Sequence, residues 1–101
     1  MFTHHVYFWM KAGTPESATD QLIEDCLAYL GKIPTVRQIA AGRPAMTPRE
    51  VVDNSYAVAL AVTLDDSAGH EVYQIHDLHM QFIARNKQHW DHVKIYDFLT
   101  K

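Results

Sequence analysis

The sequence predicts an α+β fold in the order β-α-β-β-α-β, with four strands in one antiparallel sheet and helices on one side of it. Three observations predict it. Thr3 to Lys11 and Tyr56 to Leu64 are short apolar stretches with the period of two that strands require. Two longer stretches carry apolar residues at helical spacing, each opened by capping residues. The two kinds interleave along 101 residues with no linker and no low-complexity segment, so residues 1–101 read as one domain.

The first strand, Thr3 to Lys11, is apolar or aromatic on both faces, with Val6, Phe8 and Met10 on one and His5, Tyr7 and Trp9 on the other. Thr14 is placed to cap a helix that Pro15 and Glu16 open. Leu22, Ile23, Cys26, Leu27 and Leu30 form its buried stripe, and Gly31 stops it. After Pro34, Val36 to Arg43 reads as a second strand with Gly42 near its end. Pro44 and Pro48 make the segment from Pro44 to Asn54 a long, mobile loop.

Tyr56 to Leu64 is the clearest strand. Tyr56, Val58, Leu60, Val62 and Leu64 alternate with Ala57, Ala59, Ala61 and Thr63, and neither set is charged. Asp65-Asp66-Ser67 supplies a turn and a cap for a helix to Ile75. That helix pauses at His76–Leu78 and resumes to His89, and Val93 to Leu99 is the last strand. A β-α-β-β-α-β chain with a broken second helix follows the ferredoxin-like pattern. Helices cover only one face of such a sheet, so strands apolar on both faces need a second partner. The simplest one is a second copy, sheet against sheet, which predicts a homodimer.

Composition narrows the function classes. The net charge is −3 and no Lys/Arg run stands out, so no nucleic-acid partner and no anionic membrane surface is expected. No apolar run reaches the ~20 residues of a membrane span. Cys26 is the single cysteine, which leaves no intramolecular disulfide and no cysteine zinc site. The start, Met1-Phe2-Thr3-His4-His5, lacks the basic region of a signal peptide, so the expected location is the cytoplasm.

Residues from end to end carry a family resemblance. They are His5-Val6, Ile33-Pro34-x-Val36, Gly42-Arg43, Tyr56, His76-x-x-His79, Phe82, Trp90 and Asp97-Phe98. In order and spacing the chain resembles the stress-responsive dimeric α/β barrel domain (Dabb) family. The resemblance implies a ferredoxin-like protomer whose sheet pairs with a twin to form a barrel. It implies a stress-related role, or the activity of the family's plant polyketide cyclases, which resemble olivetolic acid cyclase and close a ring by aldol chemistry without metal or cofactor. In that branch a tyrosine and a histidine six residues apart act on the substrate, and Tyr73 and His79 match them. His5 matches its first-strand histidine. Asp77 stands where the branch has a proline, and Val58 where it has a third histidine.

Two chemistries follow from the residues. Tyr73 and His79 are candidate catalytic groups: imidazole titrates near neutrality and suits a general base, and a phenol can hydrogen-bond an enolate oxygen. The alternative is that His79 caps the broken helix and Tyr73 packs on the sheet. His5, Tyr7, Trp9, Val58, Leu60 and His76 are candidate ligand-binding residues between sheet and helices, unless Tyr7 and Trp9 fill that space. His76 and His79 have the spacing to share a metal, but no third ligand accompanies them, so no metal and no cofactor is expected. His4 reads as an interface residue or a frayed end, and His70 as solvated. Asp97, inside an apolar strand, needs a partner, with Arg43 and Lys11 the candidates. The first reading is a protein that binds a small, mostly apolar molecule. The second is a cofactor-independent cyclase-like or monooxygenase-like enzyme, and the third a structural dimer without ligand.

Overall fold

A computed structural model describes residues 1–101. Its elements are β1 (Phe2–Met10), α1 (Glu16–Ala28), β2 (Val36–Gly42), β3 (Val58–Leu64), α2 (Ser67–Ile75), α3 (Asp77–Asn86) and β4 (Trp90–Leu99). One-turn 3-10 helices at Leu30–Lys32 and Lys87–His89 extend α1 and α3. The four strands form one sheet in the order β2-β3-β1-β4, every neighbouring pair antiparallel. This is the ferredoxin-like fold the sequence predicts, with the second helix broken into α2 and α3.

Element ends differ by a few residues for local reasons. Thr14 does not cap α1, because its hydroxyl donates to Lys11 O at 2.6 Å and closes the turn after β1. Pro15 takes the cap position instead, in extended conformation. That turn also needs Gly13, whose φ is +82°. Gly31 lies within the 3-10 turn rather than ending the helix, and β4 begins at Trp90, three residues before Val93. The Asp66 side chain accepts from Gly69 N at 2.8 Å and caps α2 as expected.

All helices lie on one face of the sheet. Val6 and Phe8 on β1, and Val58, Leu60, Val62 and Leu64 on β3, turn to that face and are buried against Leu22, Cys26 and Leu30. Burial, with Asp25 beside it, pushes the Cys26 thiol up to about 12, so the thiol stays protonated and acts as core. Asp25 itself ties α1 to α3. It accepts from Arg85 Nε at 2.7 Å and from Asn86 Nδ2 at 3.0 Å.

The opposite face carries His5, Tyr7 and Trp9 from β1, alternating with the buried set. They therefore do not share a face with Val58 and Leu60. A strand apolar on both sides has no pattern that tells its two faces apart, and pairing with β3 decides: Val6 lies opposite Leu60 and Phe8 opposite Val58. On this open face Tyr96 and Phe98 of β4 are 61% and 52% exposed. Trp9 stacks on His92 at 4.5 Å and donates to Ser55 Oγ at 3.0 Å, pinning the loop before β3.

Candidate functional site

A cavity of about 170 Å³ lies between the sheet and the helices. Val6, Phe8, Leu60, Phe82, Trp90 and Ile95 supply most of its apolar wall, and His4, Tyr73 and His79 its titratable groups. Tyr7 and Trp9 neither line it nor fill it, since they stand on the other side of the sheet.

His4 reaches the cavity because of β1 register. It is 4% exposed and lies directly opposite Asp97 of β4, on the helix-covered face. His4 Nδ1 and Asp97 Oδ1 are 2.6 Å apart. This answers the need of Asp97 for a partner and corrects two expectations. His4 is neither frayed nor on the open face, and neither Arg43 nor Lys11 pairs with Asp97. Arg43 instead pairs with Glu16 and Asp20 of α1, at 3.0 and 2.8 Å. The first-strand histidine of the site is thus His4, while His5 packs edge-on against Phe98 on the open face.

Tyr73 and His79 meet because the helix breaks. On one continuous helix, residues six apart differ by about a third of a turn around the axis. Here His76 is extended, with φ −63° and ψ 144°, and α3 sets off in a new direction. His76 Nδ1 accepts from Leu78 N at 3.1 Å, so His76, not His79, is the cap and does not line the cavity. The Tyr73 and His79 rings then lie 5.0 Å apart at 70°, and His4 is 5.6 Å from Tyr73.

His70 is a residue that sequence reasoning misplaced. It is 7% exposed, stacked on Phe2 at 4.3 Å and 4.7 Å from His4. A signal was available, since His70 and Tyr73 at i, i+3 share a helix face. His4, His70 and Asp97 bring three ligand-type atoms within 4.8 Å of one another. They come from three different elements, which sequence spacing cannot show, and neither His76 nor His79 joins them.

The electrostatics of the wall follow from burial. Desolvation raises the Tyr73 phenol well above its ordinary range, with Cys26 adding to it, so the hydroxyl remains a donor. Desolvation first, then His4 and His70, holds the His79 imidazole below its usual value, so it is neutral at pH 7. His79 Nδ1 and Trp90 Nε1 are sealed without a hydrogen-bond partner. Neither His79 Nε2, the far nitrogen of His4 nor the Tyr73 hydroxyl is sealed in this way. Val58 is fully buried, so no polar group stands at that position.

The profile of the stress responsive A/B barrel domain family matches residues 2–100, and the chain belongs to that family. A dimeric ferredoxin-like protein of unknown function from Thermobifida fusca is 19% identical, with TM-score 0.83, covering 98% of this chain and 90% of that one. A protein from Arabidopsis thaliana is 17% identical, with TM-score 0.85 over 100% and 96% of the two chains. A hydroxynitrile lyase from Passiflora edulis is 14% identical, with TM-score 0.81 over 99% and 93%. At these identities the likeness is one of fold. No curated protein matches in sequence. No helix is long and apolar enough to cross a membrane.

Proposed function

We propose that the chain forms a homodimer through its open sheet face and binds a small, mostly apolar molecule in the helix-covered cavity. The observation that carries the binding reading is the cavity itself, an apolar hollow with His4, Tyr73 and His79 among its lining residues. At about 170 Å³ it falls below the ~300–1,000 Å³ of drug-sized pockets, so its occupant is about the size of one substituted ring. Ile95, 54% exposed on the edge strand, marks its mouth. Titrating labelled protein with a small aryl ketone tests this: signals of Tyr73, His79 and Trp90 shift together and saturate. Shifts confined to Tyr7, Trp9 and Tyr96 would place the site on the other face and defeat the proposal.

The dimer reading rests on the aromatic open face, with Tyr7 and Trp9 half-buried and Tyr96 and Phe98 exposed, and on structural neighbours that are dimeric.

A second reading is a cofactor-independent enzyme that moves a proton on the bound molecule. It is favoured by the convergence of Tyr73 and His79 across the helix break, beside the His4–Asp97 pair. Deuterium uptake from heavy water into the carbon next to the carbonyl of that ketone measures it. Uptake no faster than in buffer removes this reading and leaves the binding one.

A further inference from the structure

We infer that His4, held by Asp97, is the proton acceptor of the cavity, while His79 and Tyr73 are its hydrogen-bond donors. The inference rests on the acid–base reading above and goes beyond it by assigning the roles. The two histidines look alike in sequence but differ in what each ring nitrogen meets.

His4 Nδ1 lies 2.6 Å from the Asp97 carboxylate, which accepts hydrogen bonds and has none to donate when ionised. The proton of a neutral His4 therefore resides on Nδ1, which leaves a bare lone pair on the far nitrogen of a residue that lines the cavity. A base needs that lone pair. Asp97 also stabilises the imidazolium that forms when the proton arrives, as an orienting carboxylate does.

His79 has the opposite arrangement. Its Nδ1 is sealed and meets no partner. Among buried backbone groups an orphaned N–H is rarer than an orphaned acceptor, and we apply the same preference to the ring nitrogen, although Trp90 Nε1 is a sealed N–H. The resting tautomer of His79 thus keeps Nδ1 bare inside the protein and points an N–H from Nε2 toward the cavity. His79 can then donate but has no accessible lone pair, so it cannot be the base without first placing a proton in the sealed position. Tyr73, protonated throughout the physiological range, is the second donor.

The step these roles permit is balanced without any co-reactant. The far nitrogen of His4 takes a proton from the carbon beside a carbonyl, and the C–H electron pair moves to form an enolate. The Tyr73 hydroxyl and the His79 Nε2–H hold the oxygen on which the charge gathers. Return of a proton from His4, exchanged with solvent in the interval, restores the ketone.

Two measurements test the assignment, the first with no ligand at all. Long-range nitrogen–proton spectra of the wild-type protein at neutral pH report the tautomer of each histidine. The expected result is Nδ1–H for His4 and Nε2–H for His79. An Nε2–H His4, or an Nδ1–H His79, overturns the assignment. So does a chelator-reversible metal signature on His4 in zinc-treated protein, which would mean that His4, His70 and Asp97 form a cation site instead. The second measurement is deuterium uptake by the aryl ketone in two variants. H4Q should lose about 100-fold or more, the contribution of a general base. H79Q keeps a donor in its amide and should stay within about tenfold, short of the 10²–10³ that loss of a donor costs. The reverse pattern makes His79 the base and overturns the assignment while the acid–base reading stands. A wild type without uptake removes the acid–base reading and these roles with it, whatever the tautomers.

Discussion

The two faces of β1 differ less in composition than in what they meet. His4, Val6 and Phe8 face the helices and are at most 5% exposed, whereas His5, Tyr7 and Trp9 face outward beside half-exposed Tyr96 and Phe98. Both sets hold one histidine and two apolar or aromatic side chains. Adjacent histidines one register position apart thereby acquire different environments. His4 gains a carboxylate and a cavity, and His5 gains only the edge of Phe98. On such a strand, function follows from the face, and the face follows from pairing.

Four perturbations sharpen this contrast, from the largest effect to the smallest. Phe8, 2% exposed against Phe82 and Trp90, anchors the helix-covered side. F8A should lower unfolding stability by about 3–5 kcal/mol in denaturant titration, and a loss below 1 kcal/mol would mean that this face is not the core. Phe98, 52% exposed on the other face, lies where the proposed second copy would pack. F98D should weaken the dimer by about 2 kcal/mol or more, read by sedimentation as a shift toward the chain mass of 11.6 kDa. An unchanged dimer would move the interface elsewhere.

Asp66 caps α2, which carries His70 and Tyr73 onto the sheet. D66A should cost about 1 kcal/mol of stability and leave the sedimentation profile unchanged. The smallest effect is on pH dependence. Burial above all, with His4 adding to it, keeps the His70 and His79 imidazoles below their ordinary range. Below about pH 6.5 the unfolded chain takes up protons that these folded imidazoles refuse. Stability should therefore fall as pH drops from 6.5 and level off below their folded pKa values, with no contribution from them above 6.5. H70Q and H79Q should each flatten that slope, and slopes unchanged in both would show that other groups cause it.

The fold was legible because its periods are strong. Val58, Leu60, Val62 and Leu64 mark a strand without ambiguity, and Asp66 before an apolar helix marks a start. The break at His76 was visible in outline, although its cause, a histidine turned back on its own backbone, was not. The site was half legible. Tyr73 and His79 stood out, and an aspartate inside an apolar strand announced that Asp97 needed a partner. What could not be read was the partner itself, because β1 and β4 are the first and last strands and only their register places His4 opposite Asp97. A strand apolar on both sides gives no sign of which histidine turns inward, so His5 stood in for His4.

The central claim is that the sheet divides the molecule's work, with ligand under the helices and the second copy on the open face. The two tryptophans test it together, since Trp90 lines the cavity and Trp9 lies on the open face. Their two indole N–H signals can be followed in one nitrogen–proton spectrum, on dilution and on addition of a small aryl ketone. The account predicts that dilution through the dimer's dissociation range moves Trp9 alone, and that the ketone moves Trp90 alone. Ketone shifts at Trp9 with Trp90 unmoved, or dilution shifts at Trp90 with Trp9 unmoved, would contradict it.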